Sequence, residues 1–218
     1  MILMVIIMIK NSELFNLDNC RFKYLLEEKI YPQEVLPAIH EYIIKLGSKL
    51  ESSEYDQIKD NVWIHKTAKL SKTAEIIGPA IIMESCDIRH NAFLRENVII
   101  GPGSVVGNSC EIKNSILLSN VEVPHFNYVG DSILGDKAHL GAGVILSNLR
   151  LDKKNIRINH EDTNLRKIGA FIGDNAQIGC NSVLCPGTII YPGVMINPLT
   201  TVKGIITGDT KSIEVERL

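Results

Sequence analysis

Aliphatic residues recur at every sixth position along much of the chain. Neither an α-helix, with a period of 3.6, nor an ordinary strand, with a period of 2, produces this rhythm. It is typical of a hexapeptide solenoid, in which each six-residue unit forms one short strand and one corner of a triangular coil. We therefore predict an all-β fold, a parallel β-helix. The positions are Ile64, Leu70, Ile76, Ile82, Ile88, Leu94, Ile100, Val106, Ile112 and Leu118, and then Ile172, Ile178, Leu184, Ile190, Ile196 and Val202.

A second pattern supports the same fold. Through the first run, the fourth residue after the aliphatic position is small or β-branched, as the narrow interior of a triangular coil requires. Since three hexapeptides complete a coil, residues 18 apart should stack one strand spacing apart, about 4.8 Å. The small positions are Ala68, Ala74, Ala80, Cys86, Ala92, Val98, Ser104 and Cys110.

Residues 11–60 do not follow the six-residue rhythm. Pro32 suits a first-turn position, and Val35, Ile39 and Ile43 have helical spacing after it. We predict an N-terminal helical segment within residues 1–60 that caps an open end of the solenoid or contacts another subunit. Residues 1–10 are apolar and predict a buried or pairing strand, with a disordered start as the alternative.

Two interruptions divide the repeat region. The phase slips between Leu118 and Leu134, and residues 149–169 are too polar for a core, so they should loop out of the coil. We therefore predict three segments: the helical segment 1–60, a β-helix over 61–205 with an excursion at 149–169, and a C-terminal tail over 206–218.

Composition restricts the function classes. The 218 residues have a net charge of −2, without the basic excess that a nucleic-acid partner would favour. The apolar start is too short for a membrane span, which needs about 20 residues. Five cysteines without a CxxC spacing favour a reduced, cytoplasmic protein.

Two cations lie 18 residues apart and should stack on one outer face: Arg95 and Lys113. They are either two solvated surface charges or a clamp for a phosphate, with Arg95 offering a fork and Lys113 a point charge. The spacing alone leaves both interpretations open.

His125 is the best candidate for acid–base chemistry. By the six-residue count it occupies the same position of the hexapeptide as Arg95 and Lys113, two faces further on, and it lies where the phase slips. Imidazole exchanges protons near neutral pH, which suits a general base, although a lone histidine is often structural or merely exposed. His90, His125 and His139 include no close pair, so we predict no metal site. No nucleotide-binding glycine loop is present.

The segment VPHFNYVGDSILGDKAHLGAG, residues 123–143, resembles the acetyltransferase half of the bifunctional N-acetylglucosamine-1-phosphate uridyltransferases and their archaeal sugar-1-phosphate relatives. The resemblance extends from about residue 91 to residue 203 and is ungapped over 95–154. It implies a left-handed β-helix, acetyl-CoA as co-substrate, and a homotrimer with sites between subunits.

The same resemblance assigns individual roles. It implies that His125 is the catalytic base, that Arg95 and Lys113 bind the sugar phosphate, and that Tyr128 and Asn148 contact the sugar. It places Lys154 on a lysine that reaches the substrate from a neighbouring subunit. Ala142 and Cys180 match positions beside acetyl-CoA.

The chain departs from the family pattern at several points. Residues 1–60 are too short for a nucleotidyltransferase domain and carry no GxGTR-like phosphate loop, so we expect no uridyl transfer. Leu149 replaces a tyrosine, His139 an asparagine, and Cys180 a frequent serine. Residues 14–205 as a whole resemble a stand-alone group of short bacterial proteins described as pyrophosphorylase-related.

The leading hypothesis is an acetyl-CoA-dependent N-acetyltransferase for an amino sugar phosphate such as glucosamine 1-phosphate. Backbone N–H groups near residues 141–143 would stabilise the oxyanion. A second hypothesis is a non-catalytic sugar-phosphate- or sugar-nucleotide-binding module that lacks its partner domain. A third is an acyltransferase for another amine.

Overall fold

The computed structural model describes residues 8–18 and 20–207. Three parallel sheets, which we name A, B and C, form the faces of a triangular β-helix, and the chain visits them in the order A, B, C in each coil. This confirms the β-solenoid predicted from the six-residue rhythm. The predicted N-terminal strand falls mostly on residues 1–7, outside the described residues.

Sheet A contains β1 (Tyr55–Lys59), β2 (Val62–His65), β5 (Ala80–Ile82), β8 (Val98–Ile100), β11 (Ser115–Leu117), β14 (Ile133–Leu134), β19 (Ala170–Ile172), β22 (Thr188–Ile190) and β25 (Ile205–Ile206). Sheet B contains β3 (Lys69–Leu70), β6 (Asp87–Ile88), β9 (Val105–Asn108), β12 (Glu122–His125), β15 (His139–Leu140), β20 (Gln177–Ile178) and β23 (Met195–Ile196). Sheet C contains β4 (Glu75–Ile76), β7 (Phe93–Leu94), β10 (Glu111–Lys113), β13 (Tyr128–Gly130), β16 (Ile145–Leu146), β21 (Val183–Leu184) and β24 (Thr201–Val202). Within these three sheets, neighbouring strands are parallel except β1 and β2, which pair antiparallel.

The interior of the coil is a continuous aliphatic core. It contains most of the large aliphatic positions of the rhythm, and Cys86 and Cys110 occupy small inward positions, as the sequence predicts. Leu70, in the first coil, is exposed. Large residues alternate with small ones around each turn, so the coil reaches the close packing of a protein interior.

Two coils in the middle of the solenoid are one residue shorter than the usual 18, and the last coil, from Ile189 to Ile205, is two residues shorter. Val98 pairs with Ser115, 17 residues later, and Ile116 pairs with Ile133 at the same spacing. The first missing residue lies in the turn after Lys113, so Leu117 rather than Leu118 faces the interior, and Leu118 packs outside. The prediction that Leu118 continues the core rhythm was therefore wrong.

The same correction applies to His125. The aliphatic core residue before it is Val123, so His125 is the second residue after a core position and not the first, as the six-residue count had placed it. It also lies in a regular part of its coil, where Val123 pairs with Val106. The two short turns come before and after it, at residue 114 and at residue 131.

The N-terminal segment packs on the outer face of sheet A. Its helices are α1 (Asn11–Leu14), α2 (Lys23–Glu28), α3 (Pro32–Val35), a 3₁₀ turn (Leu36–Ala38) and α4 (Ile39–Gly47). Outward-facing residues of sheet A and inward-facing residues of these helices form a second apolar core. The helices therefore cover a face of the solenoid rather than the open end that was one of the two predicted places, and the other, a contact with another subunit, stays a prediction.

The polar excursion leaves the coil after β16 and returns at β19. It contains a short antiparallel hairpin of β17 (Arg157–Ile158) and β18 (Glu161–Asp162). Ile156, Ile158 and Ile168 are buried and join the second apolar core. The excursion is thus anchored by three isoleucines within an otherwise charged segment. The division of the chain at residues 60 and 205 stays a prediction.

Candidate functional site

The predicted site residues fall mainly at two corners on either side of sheet C. We call the turns that lead from sheet B into sheet C, near residues 125–127, 141–143 and 179–181, the B–C corner. The turns that lead from sheet C into sheet A, near residues 95–97, 113–114, 130–132 and 147–148, form the C–A corner. The strands between them span only two or three residues, so the Cα atom of a residue at one corner lies roughly 10–15 Å from the Cα atom of a residue at the other.

The B–C corner brings together His125, Ala142 and Cys180. The N–H of Gly143 donates to the carbonyl of His125 at 3.0 Å, and the N–H of Asn181 donates to the carbonyl of Ala142 at 2.8 Å. These bonds stack the three turns on successive coils. The predicted base therefore shares a corner with the two residues predicted to lie beside acetyl-CoA.

A buried asparagine fixes the backbone of this corner. Asn127 is 2% exposed, and its Oδ1 accepts the N–H of His125 at 3.0 Å while its Nδ2 donates to the carbonyl of Gly141 at 2.7 Å. Asn127 occupies the small inward position four residues after Val123. Asn127 therefore ties the backbone of its own turn to that of the next coil, and no sequence pattern had pointed to it.

The imidazole of His125 is exposed above this turn. Its ring centroid lies 6.4 Å from that of Phe126, a left-handed residue at φ 54° whose side chain is 59% exposed. Within the described residues, no hydrogen bond holds either ring nitrogen. The ring is therefore accessible to a ligand, and a carboxylate that would orient it is absent from this part of the chain.

Backbone donors near residues 141–143 were predicted to stabilise an oxyanion. The N–H of Gly141 instead donates to the carbonyl of Ile178 at 2.7 Å, and that of Gly143 donates to His125. Both are used in coil-to-coil bonds, so the prediction was wrong for these two residues. The N–H of Ala142 makes no hydrogen bond to another described residue and is the remaining donor of this turn.

At the C–A corner, Asn148 and a buried aspartate meet the hydroxyl of Tyr128, whose backbone begins strand β13. Asn148 Nδ2 donates to Tyr128 Oη at 3.1 Å and also to Asp131 Oδ2. Asn114 Nδ2 donates to Asp131 Oδ1 at 2.8 Å. Burial raises the pKa of Tyr128 above its ordinary value, so its hydroxyl keeps its proton at neutral pH. The structure thus joins the two residues predicted to contact the sugar.

Arg95 and Lys113 lie side by side at the same corner. The register Leu94 to Ile112 places them on adjacent coils, about 4.8 Å apart along the sheet. Arg95 Nη1 also donates a hydrogen bond to Glu111 Oε1 at 2.8 Å, and Glu96 Oε2 lies 3.9 Å from Arg95 Nε. The hydrogen bond to Glu111 holds the pKa of Arg95 above its usual value. The stacking predicted from the spacing is present, but Glu111 already pairs with one of the two cations.

Lys154 lies on the excursion and is exposed. Its backbone N–H donates to Asp152 Oδ1 at 3.2 Å, and Asp152 also pairs with Arg150. Within the part of the chain that the structure describes, no hydrogen bond or ion pair joins Lys154 to either corner. Among the described residues, no group of three His, Cys, Asp or Glu side chains could hold a metal ion, and no helix is long and apolar enough to cross a membrane.

Comparison with known proteins relates this site to a known class of domain. Residues 76–167 match the family model of the GMPPB C-terminal domain. This match includes the predicted site residues from Arg95 to Lys154 and leaves Cys180 outside. A bifunctional sugar-1-phosphate nucleotidylyltransferase/acetyltransferase from Sulfurisphaera tokodaii is 36% identical over 77 residues, and a bifunctional protein GlmU from Methanococcus vannielii is 42% identical over 76 residues.

Each of these two alignments covers 34% of this chain and only 19% or 18% of the relative. The chain therefore spans less than a fifth of the length of these two relatives. The matched part is their acetyltransferase region, and the resemblance stated from residues 123–143 is confirmed. Activities of the whole relatives do not follow from this match.

Two solved structures are more distantly similar to this chain. A hexapeptide transferase family protein from Anaplasma phagocytophilum has a TM-score of 0.31 and 17% identity, covering 66% of this chain and 75% of that one. The acetyltransferase domain of PglB from Neisseria gonorrhoeae, in complex with acetyl coenzyme A, has a TM-score of 0.29 and 16% identity, covering 66% and 55%.

Proposed function

We propose that the protein is an acetyl-CoA-dependent N-acetyltransferase for an amino sugar phosphate, with glucosamine 1-phosphate as the first acceptor to test. The observation that supports this most is the placement of an accessible histidine at one end of sheet C and of two stacked cations at the other. Glucosamine 1-phosphate carries its amine and its phosphate on neighbouring ring carbons, so the long side chains of Arg95 and Lys113 must extend across the outer face of sheet C toward His125 to bind it. The match to acetyltransferase regions of sugar-1-phosphate enzymes supports the same substrate class.

In the proposed reaction the substrate amine attacks the thioester carbon of acetyl-CoA. A C–N bond forms, the C–S bond breaks, and the coenzyme A thiolate leaves. His125 accepts the proton that the amine loses, a general-base step worth about 10²–10⁴-fold in rate. The N–H of Ala142 is positioned at the same corner to donate to the developing oxyanion.

At the other corner Lys113 and Arg95 bind the phosphate. Since Glu111 pairs with Arg95 at 2.8 Å, the phosphate must compete with a carboxylate for that guanidinium. Lys113 is the cation that contributes a charge without this competition. We infer that Lys113 supplies most of the phosphate affinity and that Arg95 mainly orients it.

The proposal includes a homotrimer with sites between subunits. Lys154 is exposed on the excursion and separate from both corners of its own chain, as expected if it reaches a neighbouring subunit. Mixing two inactive variants, His125→Ala and Lys154→Ala, should restore part of the activity, because some sites then combine an intact residue from each. Activity that stays at the level of the separate variants would contradict shared sites.

The direct test is release of coenzyme A from acetyl-CoA in the presence of glucosamine 1-phosphate, followed with a thiol reagent. The account expects saturable turnover with this acceptor and much slower turnover with glucosamine, which lacks the phosphate. Absence of turnover with every amino sugar phosphate in a panel would refute the enzyme. Turnover with a different amine alone would show that the protein is an N-acetyltransferase for another acceptor.

A non-catalytic sugar-phosphate-binding module is the second candidate. The imidazole without an orienting carboxylate and the occupied N–H groups of Gly141 and Gly143 favour it. Calorimetry separates the two candidates. Binding of glucosamine 1-phosphate without binding of acetyl-CoA supports the module, and binding of both supports the enzyme.

A further inference from the structure

The carboxylate of Asp131 is buried at the C–A corner, where the residue is 5% exposed. Each of its oxygens accepts a hydrogen bond from a side-chain amide, Oδ1 from Asn114 and Oδ2 from Asn148. A buried carboxylate is costly unless its oxygens are satisfied in this way. Asp131 is not among the predicted site residues and takes no part in the proposed reaction.

The backbone fixes this carboxylate firmly. The N–H of Asp131 donates to the carbonyl of Lys113 at 2.9 Å, and its own carbonyl accepts the N–H of Gly169 at 2.8 Å. The residue has a left-handed φ of 49°, in the second of the two shortened turns. The coil on one side and the returning excursion on the other therefore determine where the carboxylate points.

An ionised carboxylate only accepts hydrogen bonds, so the group of Asn148 that faces it must be the NH₂. The same nitrogen also donates to Tyr128 Oη. Both amide hydrogens of Asn148 are thereby used inside the protein. Its carbonyl oxygen is the polar atom left for a ligand.

We propose that Asp131 is a positioning residue that makes Asn148 a hydrogen-bond acceptor toward the substrate. The acceptor sugar must then place a hydroxyl or an amine hydrogen at Asn148 Oδ1. Tyr128 Oη already accepts from Asn148, so its own hydrogen is available to an oxygen of the ligand. The pair thus recognises one donor and one neighbouring acceptor, as on a sugar ring. This inference rests on the proposed function and adds the residue that sets its specificity.

The test is Asp131→Asn, which keeps the shape of the side chain and tolerates the left-handed conformation. An amide at residue 131 can face Asn148 with either end, so Asn148 loses its fixed orientation. The KM for glucosamine 1-phosphate should rise roughly 2- to 10-fold, as expected for loss of a hydrogen bond between neutral groups. The KM for acetyl-CoA should stay unchanged, since that substrate binds at the other corner.

Asp136→Asn is the matched control. Asp136 also accepts a hydrogen bond from an asparagine of the preceding coil, Asn120, but it lies in a turn between sheets A and B. The same substitution there should leave both KM values at the wild-type level. A merely structural effect of losing an Asn–Asp pair would appear in both variants.

A double-mutant cycle with Asn148→Ala decides whether Asp131 acts through Asn148. In the Asn148→Ala background, Asp131→Asn should have no further effect on the KM for the sugar phosphate. An unchanged KM in Asp131→Asn alone, or independent effects in the double variant, would overturn the inference while wild-type turnover stands. A wild type that neither binds nor acetylates glucosamine 1-phosphate would instead refute the proposed function, and this inference with it.

Discussion

At the scale of single residues, the site depends on how closely the backbone can approach the side chains above it. Gly130 lies beneath the hydrogen bond between Tyr128 and Asn148. A Cβ at this position would lie 2.6 Å from Tyr128 Oη and 2.7 Å from Asn148 Nδ2. Both atoms belong to the hydrogen-bond network that we propose binds the sugar. A single methyl group on Gly130 would therefore separate Tyr128 from Asn148.

We therefore expect Gly130→Ala to weaken binding of glucosamine 1-phosphate by at least tenfold in calorimetry. Over-packing of this kind typically costs about 1–3 kcal/mol. Gly193→Asn serves as the control, because no atom lies within 4 Å of a Cβ there and asparagine tolerates its left-handed φ of 73°. Equal affinity in the wild type and Gly130→Ala would show that the Tyr128–Asn148 contact does not form part of the binding site.

At the scale of elements, the contact between α4 and sheet A is equally close. Trp63 is the single tryptophan of the chain and projects from β2 toward Gly47, the last residue of α4. A Cβ on Gly47 would lie 2.3 Å from the Trp63 ring. The glycine is therefore required by packing, even though glycine is a poor helix former.

This contact gives a prediction with a definite sign. In an exposed helix Gly47→Ala would stabilise by about 1 kcal/mol, but here the clash with Trp63 should destabilise by about 1–3 kcal/mol. Urea unfolding followed by tryptophan fluorescence measures the change and reports on the contact itself. Lys45→Ala, on an exposed position of the same helix, should change the free energy of unfolding by less than about 0.5 kcal/mol. A stabilised Gly47→Ala would contradict the packing of α4 on sheet A.

Residues of these elements also show how far the sequence could predict the fold. The aliphatic rhythm identified the coil because one inward position in each hexapeptide takes a large side chain. It failed at Leu117 and Leu118, because both are aliphatic and a one-residue deletion cannot be located when either could face inward. The contact of the helices with sheet A could not be predicted either, since an amphipathic pattern identifies a buried face but not the surface that covers it.

The site shows a similar division. The spacing of 18 residues predicted the stacking of Arg95 on Lys113, because register follows directly from coil length. The role of Asp131 could not be predicted, since its burial depends on a turn shortened by one residue. A signal was present: an aspartate in a repeat corner, preceded by glycine and followed by serine, is a polar residue where the next coil must approach closely.

At the scale of the whole molecule, Asp174 links the N-terminal segment to the solenoid. Its Oδ2 accepts the N–H of Asn16 at 2.7 Å, its Oδ1 accepts that of Asp136 at 2.7 Å, and its own N–H donates to the carbonyl of Leu14. Burial raises the pKa of this carboxyl above its ordinary value, more than the two N–H donors lower it. The folded protein therefore binds a proton at Asp174 more readily than the unfolded chain does.

The sign of the pH dependence follows from this shift. Between the unfolded value, about 3.9, and the raised folded pKa, the folded state holds more protons than the unfolded state. The contribution of Asp174 to the free energy of unfolding is then full below that range and is lost as pH rises through the folded pKa. In urea titrations over a pH series, the stability difference between wild type and Asp174→Asn should shift in favour of the wild type as pH falls.

Asp152 supplies a control of opposite sign. Its hydrogen bonds to Arg150 hold its pKa below the usual range, so its contribution is present above the unfolded value and is lost as pH falls through the folded one. The difference between wild type and Asp152→Asn should therefore shift against the wild type in acid. A pH-independent difference for Asp174→Asn would contradict the raised pKa.

The central claim is that His125 removes a proton during acetyl transfer to an amino sugar phosphate. The most direct test is kcat for acetyl-CoA and glucosamine 1-phosphate in the wild type and in His125→Ala, with affinities for both substrates measured by calorimetry. The account predicts that kcat falls by about 10²–10⁴-fold while both affinities stay near the wild-type level. Equal kcat values in the two proteins would contradict it.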